Sequence, residues 1–251
     1  MDHDGVLAGG NASGDVARVG NSVRKALTPA SSSVHAFMRA MREAGVDVPE
    51  PRGQDERGRQ VIEFVPGRPA IERGPFTHAE LRRVGALVRS IHDASETFLA
   101  PADAIWETAI PAPGADLVCH NDLAPWNLII GERWVFIDWD AAAPSTRLWD
   151  LAYAAQAFTL SRVDQPPERA ADALRAFVDG YDADAGLRVA LPDAIERRTS
   201  AMLELLRSAH AEGREPWATM FAAGHGAYWA STLDFVRTHR ALWARTLTAE
   251  N

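Results

Sequence analysis

The chain has 251 residues, 47% hydrophobic and 24% charged, enough for a buried core arranged as one large domain or two lobes. Its net charge of −8 excludes a nucleic-acid surface, which needs clustered lysine and arginine, and instead suits a cationic small molecule. The single cysteine, Cys119, excludes an intrachain disulfide, and no run has the apolar length of a signal peptide or membrane span, so a cytoplasmic protein is expected.

Residues 1–67 read as a small β-rich unit. A first short strand is expected near Gly5–Leu7, followed by the small-residue stretch that holds Gly9, Gly10 and Gly14. These glycines either form an ordinary hairpin turn or, lacking Cβ, let backbone N–H groups approach a phosphate. Val16–Val19 is β-like, Gly20-Asn21 turns, and Ser22–Ala26 returns. Side chains alternate along a strand, so only one of Arg24 and Lys25 can face inward. Pro29–Ala44 has helical spacing, with Val34, Phe37, Met38 and Met41 on one apolar face and Ser31, Ser32 or Ser33 as cap. Gly58–Gly67 reads as a strand stopped by Pro66-Gly67.

Thr77 and Glu80 form a capping box that opens a helix through about Phe98, with Leu81, Val84, Leu87, Val88 and Ile91 as its buried stripe. His92 beside that stripe reads as a packed, hydrogen-bonded residue. Pro101–Asp116 is a connection. Next comes His120-Asn121-Asp122-Leu123-Ala124-Pro125-Trp126-Asn127, then a hairpin of Leu128–Ile130 and Trp134–Ile137 turned by Gly131-Glu132-Arg133. The second strand runs directly into Asp138. One loop and one hairpin can therefore gather three oxygen donors, Asp122, Asn127 and Asp138, which suit a hard divalent cation shared with substrate phosphates. A carboxylate beside such a cation can orient an attacking hydroxyl. His120 reads as a packing residue, Asp140 as a rim residue, Asp150 as a helix N-cap, and Arg147 as pairing with Asp150 or solvent. Helices are expected over about 150–160, 167–181, 192–212 and 216–240. Eight acidic residues between Asp164 and Glu196 face three arginines, as a solvated helix face or as an acidic wall for a cation. Trp217, Tyr228 and Trp229 are core aromatics or the lining of an acceptor pocket.

The pattern H-x-D-x-x-P-x-N, followed by Ile137-Asp138-Trp139-Asp140 and then Trp149-Asp150-Leu151-Ala152, resembles the aminoglycoside phosphotransferase family of small-molecule kinases. The resemblance implies an α+β, protein-kinase-like bilobal fold, with a reduced β-rich N-lobe over 1–67 and a large, mainly helical C-lobe over 68–251. It implies an ATP- and Mg2+-dependent kinase that phosphorylates a hydroxyl of a small-molecule acceptor. By the same resemblance Asp122 is the catalytic-loop base, and Asn127 and Asp138 hold magnesium. Gly9, Gly10 and Gly14 would cover the nucleotide, Lys25 (with Arg24 as rival) would contact its inner phosphates, and Glu63, Phe64 and Val65 would form the hinge on the adenine edge. Asp150 would brace the catalytic loop. One departure stands out: the family's helix glutamate, partner of the strand lysine, falls near Val34 or His35, and Glu43 lies at the wrong end to replace it. That departure keeps a second reading open, a nucleotide-binding pseudokinase or ligand-sensing module.

Overall fold

The computed structural model of the protein describes residues 5–7 and 16–249. Its first part is a five-stranded antiparallel sheet in the order β1-β2-β3-β5-β4, formed by Gly5–Leu7 (β1), Val16–Val19 (β2), Ser22–Lys25 (β3), Pro51–Gln54 (β4) and Gln60–Glu63 (β5). Helix α1, Ser31–Glu43, connects β3 to β4 and buries Val34, Phe37, Met38 and Met41. Each of these side chains contributes about 2 kcal/mol by leaving water. The serines do not cap this helix. Its N-cap is Ala30, because Thr28 has already turned the chain: Thr28 Oγ1 accepts from the Ala30 N–H at 3.2 Å, and Ser31 Oγ accepts from the Thr28 N–H at 2.9 Å.

After β5 the chain leaves that sheet. Arg68–Pro69 (β6) pairs with Leu128–Ile130 (β8), which pairs with Trp134–Phe136 (β9) in the expected hairpin. Leu117–Cys119 (β7) pairs with Ala143–Ser145 (β10). The loops 120–127 and 137–142 connect these two small sheets. Helix α2 runs over His78–Ser95, opened by the Thr77/Glu80 capping box as expected and ending before Phe98.

The remainder is helical: α3 Arg147–Ala155, α4 Pro167–Tyr181, α5 Ala185–Glu212, α6 Trp217–Met220, α7 Gly226–Thr238 and α8 Arg240–Thr248. Two boundaries differ from expectation. Helix α5 begins well before residue 192, because Asp184 accepts from the Leu187 N–H at 2.8 Å and caps it, so Pro192 lies inside. The stretch 216–240 is broken at Gly224, whose φ of +109° no L side chain adopts easily, and a further helix, α8, follows it. A small β-rich part thus precedes a large, mainly helical one, as expected. Much of the acidic run is paired on the outer surface, with Asp179 on Arg188, Asp193 on Arg240 and Glu196 on Arg237. No helix among the described residues is long and apolar enough to cross a membrane.

Helices α2 and α4 cross in backbone contact at Gly85 and Gly180. A methyl group on Gly85 would lie 2.1 Å from the Phe177 carbonyl oxygen, and one on Gly180 would lie 2.1 Å from that of Arg82. Neither neighbour is a flexible side-chain tip, so the helices must separate. Gly85→Ala is therefore expected to destabilise the fold by about 3 kcal/mol, read as a lower midpoint in urea unfolding. An unchanged midpoint would show that the crossing relaxes.

Candidate active site

Strand β7 delivers the loop that begins at His120. His120 is buried: its Nδ1 accepts from the Asp122 N–H at 3.2 Å, which leaves Nε2–H to donate to the Ile137 carbonyl at 3.1 Å. It is the packing residue its sequence context indicated. Asn121 has a φ of +63°, an uncommon conformation that asparagine tolerates. Its side-chain amide donates to the Ala141 and Ala143 carbonyls at 3.1 and 3.2 Å, tying the loop to the segment beyond β9.

Asp150 braces the same loop from below, with Oδ1 accepting from the Asn121 N–H at 2.9 Å. Its Oδ2 meets His92 Nε2 at 3.1 Å, and His92 Nδ1 meets the Tyr181 hydroxyl at 2.9 Å. Asp150 is not an N-cap. Thr146 caps α3, its Oγ1 accepting from the Trp149 N–H, and this leaves Asp150 inside the first turn and pointing at the loop. Arg147 does not pair with Asp150; it makes surface ion pairs with Asp93 and Glu96, each at 2.7 Å, as its sequence context indicated.

Asp122 is held from two sides. Asn127 Nδ2 donates to Oδ2 at 2.7 Å, and the Tyr153 hydroxyl donates to Oδ1 at 2.9 Å. Burial, reinforced by the Asp138 charge, pushes the Asp122 carboxyl above its ordinary value against the pull of these donors. Behind Tyr153 lies Arg198 of α5, 6% exposed, with its guanidinium 4.3 Å from the Tyr153 ring centre and Nη2 3.4 Å from the Asn121 carbonyl. Trp229 stacks on the other side of Tyr153 at 6.4 Å, so it serves the site through packing. Burial raises the Tyr153 phenol well above its usual range, and the Asp122 charge adds to that, so the phenol remains a donor.

The third donor, Asp138, lies on the segment that Asn127 holds, where the Ile137 N–H donates to the Asn127 carbonyl at 2.8 Å. Asp138 follows β9 in the left-handed conformation, φ +60° and ψ +62°, which turns its carboxylate away from the strand direction. Lys25 Nζ meets Asp138 Oδ1 at 3.0 Å and Asp140 Oδ2 at 2.6 Å. Burial lowers the Lys25 ammonium, but the two carboxylates outweigh it and hold it above its ordinary value. Of the two candidate basic residues, it is Lys25 that meets these carboxylates. Arg24 turns the other way, to Ser22 Oγ at 2.6 Å and Asp55 at 3.6 Å. Asp140 is no rim residue, since it is the nearer partner of Lys25. Glu43 is exposed at the far end of α1, and His35 pairs with Gln60 at 2.9 Å.

Asn127 and Asp138 fit a magnesium ion by their chemistry. Both offer oxygen, and the Asn127 amide nitrogen is engaged with Asp122, which leaves the amide oxygen as its coordinating atom.

Residues 96–188 match the model of the phosphotransferase enzyme family. The trifolitoxin immunity protein of Rhizobium leguminosarum bv. trifolii is 28% identical over 197 residues, covering 72% of this chain and 75% of that protein. Among solved structures, the amicoumacin kinase hAmiN in complex with AMP-PNP, Ca2+ and Ami aligns with a TM-score of 0.69 at 14% identity, over 92% of this chain and 88% of its own. The microcompartment-associated aminopropanol kinase aligns at 0.67 and 14%, over 96% and 93%. At such identities the alignments speak for the fold. The fold is the one shared with these kinases.

The remaining family positions are placed as follows. Gly9, Gly10 and Gly14 lie outside the described residues. In the segment expected to form the hinge, the Glu63 carboxylate pairs with Arg133, and its N–H donates to the Glu50 carbonyl at 2.9 Å. The Phe64 N–H donates to Asn21 at 2.9 Å, while its ring lies 3.9 Å from the Arg18 guanidinium; Val65 is buried. Tyr153 and Arg198 escaped the sequence reading. Tyr153 offered one signal: it lies three residues after Asp150, hence on the same face of α3 as the loop brace. Arg198 offered none, being one arginine among several on a long helix.

Proposed function

We propose that the chain is an ATP- and Mg2+-dependent kinase that transfers the γ-phosphate to a hydroxyl of a small-molecule acceptor. What supports this reading most is the fixed Asp122 carboxylate, hydrogen-bonded on both oxygens and joined through Asn127 to the metal-binding side of the cleft. In this reading residues 1–67 cover the nucleotide and 68–251 carry the chemistry. Gly9, Gly10 and Gly14 belong to the covering loop. The hinge segment Glu63, Phe64 and Val65 meets the adenine edge, with Val65 supplying the N–H because those of its two predecessors are engaged in the sheet. Lys25 neutralises the inner phosphates. Asn127 and Asp138 hold magnesium, which when bound offsets the charge on the transferring phosphate. Asp122 accepts the acceptor's hydroxyl hydrogen and aims its oxygen in line with the γ-phosphorus. Phosphoryl transfer is largely dissociative, so orientation matters more than base strength.

Tyr153 maintains that aim. Tyr153→Phe removes one charge-assisted hydrogen bond from Asp122 and is expected to lower kcat about tenfold, with KM for ATP unchanged. Steady-state kinetics at varied ATP reads this directly, and a rise in KM alone would place Tyr153 elsewhere.

The acceptor belongs to the small hydroxylated amines and antibiotics. The relative named for trifolitoxin immunity and the neighbours named for amicoumacin and aminopropanol motivate that choice. The test is ATP consumption across a panel of amino alcohols and antibiotics with magnesium present and with EDTA. Acceptor- and magnesium-dependent ADP release supports the kinase. Tight nucleotide binding with no turnover on any acceptor supports the pseudokinase or ligand-sensing reading. The Lys25 ion pairs count against that second reading, because they supply the carboxylate contact that α1 does not provide.

A further inference from the structure

We infer that Asp140 is the standing anchor of Lys25, the residue that keeps the lysine aimed at the nucleotide's phosphates once the metal is bound. This rests on the kinase reading above. A buried ammonium needs a partner at every stage of a catalytic cycle, since an unpaired charge there is strongly unfavourable. Lys25 has two, Asp138 at 3.0 Å and Asp140 at 2.6 Å. Asp138 is also the proposed metal ligand, and a carboxylate neutralising a divalent cation attracts a neighbouring ammonium much less. At that moment Asp140 is the protein carboxylate that remains to hold the lysine toward the phosphates. Among the described residues the ion pairs of Lys25 involve no carboxylate of helix α1, and His35 of that helix is buried and occupied by Gln60. Burial lowers the His35 imidazole below its ordinary value, with Lys25 and Arg39 adding to the effect, so it brings no charge to the lysine.

The backbone fixes Asp140 in this position. Between the two aspartates Trp139 is 1% exposed, its indole N–H donating to the Phe136 carbonyl at 2.9 Å and its ring packed edge-on to Phe37 of α1 at 5.7 Å. With Trp139 driven into the core, Asp138 and Asp140 both emerge on the side of β3. Helix α1 is therefore tied to the loop through apolar rings, while the lysine is tied to the loop through Asp140. Asp140 is a positioning residue that acts only through Lys25. Its side chain is 35% exposed, so a polar replacement keeps the fold.

The test is a double-mutant cycle of Lys25→Met and Asp140→Asn, with ATP and adenosine affinities measured by calorimetry in magnesium buffer. Asp140→Asn is expected to weaken ATP binding about 10- to 100-fold and to leave adenosine, which has no phosphates, unchanged. In the Lys25→Met background the same change is expected to cause no further loss, and Asp140→Glu is expected to restore most of the ATP affinity. Unchanged ATP binding in Asp140→Asn overturns the inference. So does a loss shared by adenosine, which means general structural damage, or a loss that persists without Lys25, which means that Asp140 holds the cation. A wild-type protein that binds no nucleotide overturns the kinase reading itself.

Discussion

Asp122→Asn is expected to lower kcat by roughly 10²- to 10⁴-fold, the usual scale for a positioned base, with nucleotide affinity nearly unchanged. The substitution preserves size and keeps one oxygen, but it removes the charge that draws the acceptor's hydroxyl hydrogen. It also leaves two donors, Tyr153 Oη and Asn127 Nδ2, facing a carboxamide with only one accepting atom. One of them must turn or go unpaired, at a cost of about 1–3 kcal/mol in a buried site. A lower unfolding midpoint should therefore accompany the loss of turnover. The wild-type pH dependence gives a second check. In the proposed mechanism Asp122 works deprotonated, and burial raises its carboxyl, so kcat should fall with decreasing pH at a value above the ordinary carboxylate's ~3.9. Wild-type turnover in the Asn variant would remove Asp122 from the mechanism.

What could be read from the sequence was what is local. The hairpin of β8 and β9, the capping box at Thr77 and the stripes of α1 and α2 follow from neighbours a few residues apart. The spacing of Asp122, Asn127 and Asp138 is of the same kind, because one loop and one hairpin determine it. What stayed hidden was long-range. Lys25 and Asp140 are 115 residues apart, and nothing in either neighbourhood announces the other. Asp140 read as a rim residue because an acidic side chain just after the expected metal ligand has solvent as its default partner. Its contact with Lys25 follows from the buried Trp139, which puts both aspartates to one side. Asp150 misled in the other direction: aspartate before an apolar run signals a cap, yet Thr146 held that position and freed Asp150 to face the loop. Pro192 misled similarly. Proline commonly marks the first turn of a helix, but here Asp184 had begun α5 earlier.

Asp138→Ala is expected to abolish magnesium-dependent nucleotide binding. One oxygen of the proposed metal site disappears and Asn127 is left as the other protein donor, too little to hold a cation that keeps most of its water until phosphates and carboxylates replace it. Two other effects accompany this change and must be separated from it. Lys25 loses one of its partners but retains Asp140 at 2.6 Å, so the lysine should stay in place. Alanine must also adopt φ +60°, ψ +62°, which costs of order 1–3 kcal/mol for a residue without a short polar side chain. Asp138→Asn isolates the metal effect, because asparagine enters the left-handed region readily and keeps an oxygen while losing the charge. Titrating each variant with ATP, with magnesium and with EDTA, should show wild-type protein strengthened by the metal and both variants indifferent to it. The Ala variant should also unfold at lower urea than the Asn variant, by the backbone strain alone. Magnesium enhancement that survives in both would mean that the carboxylate at 138 serves Lys25 and not the cation, and the metal site would have to be sought around Asn127 and Asp140.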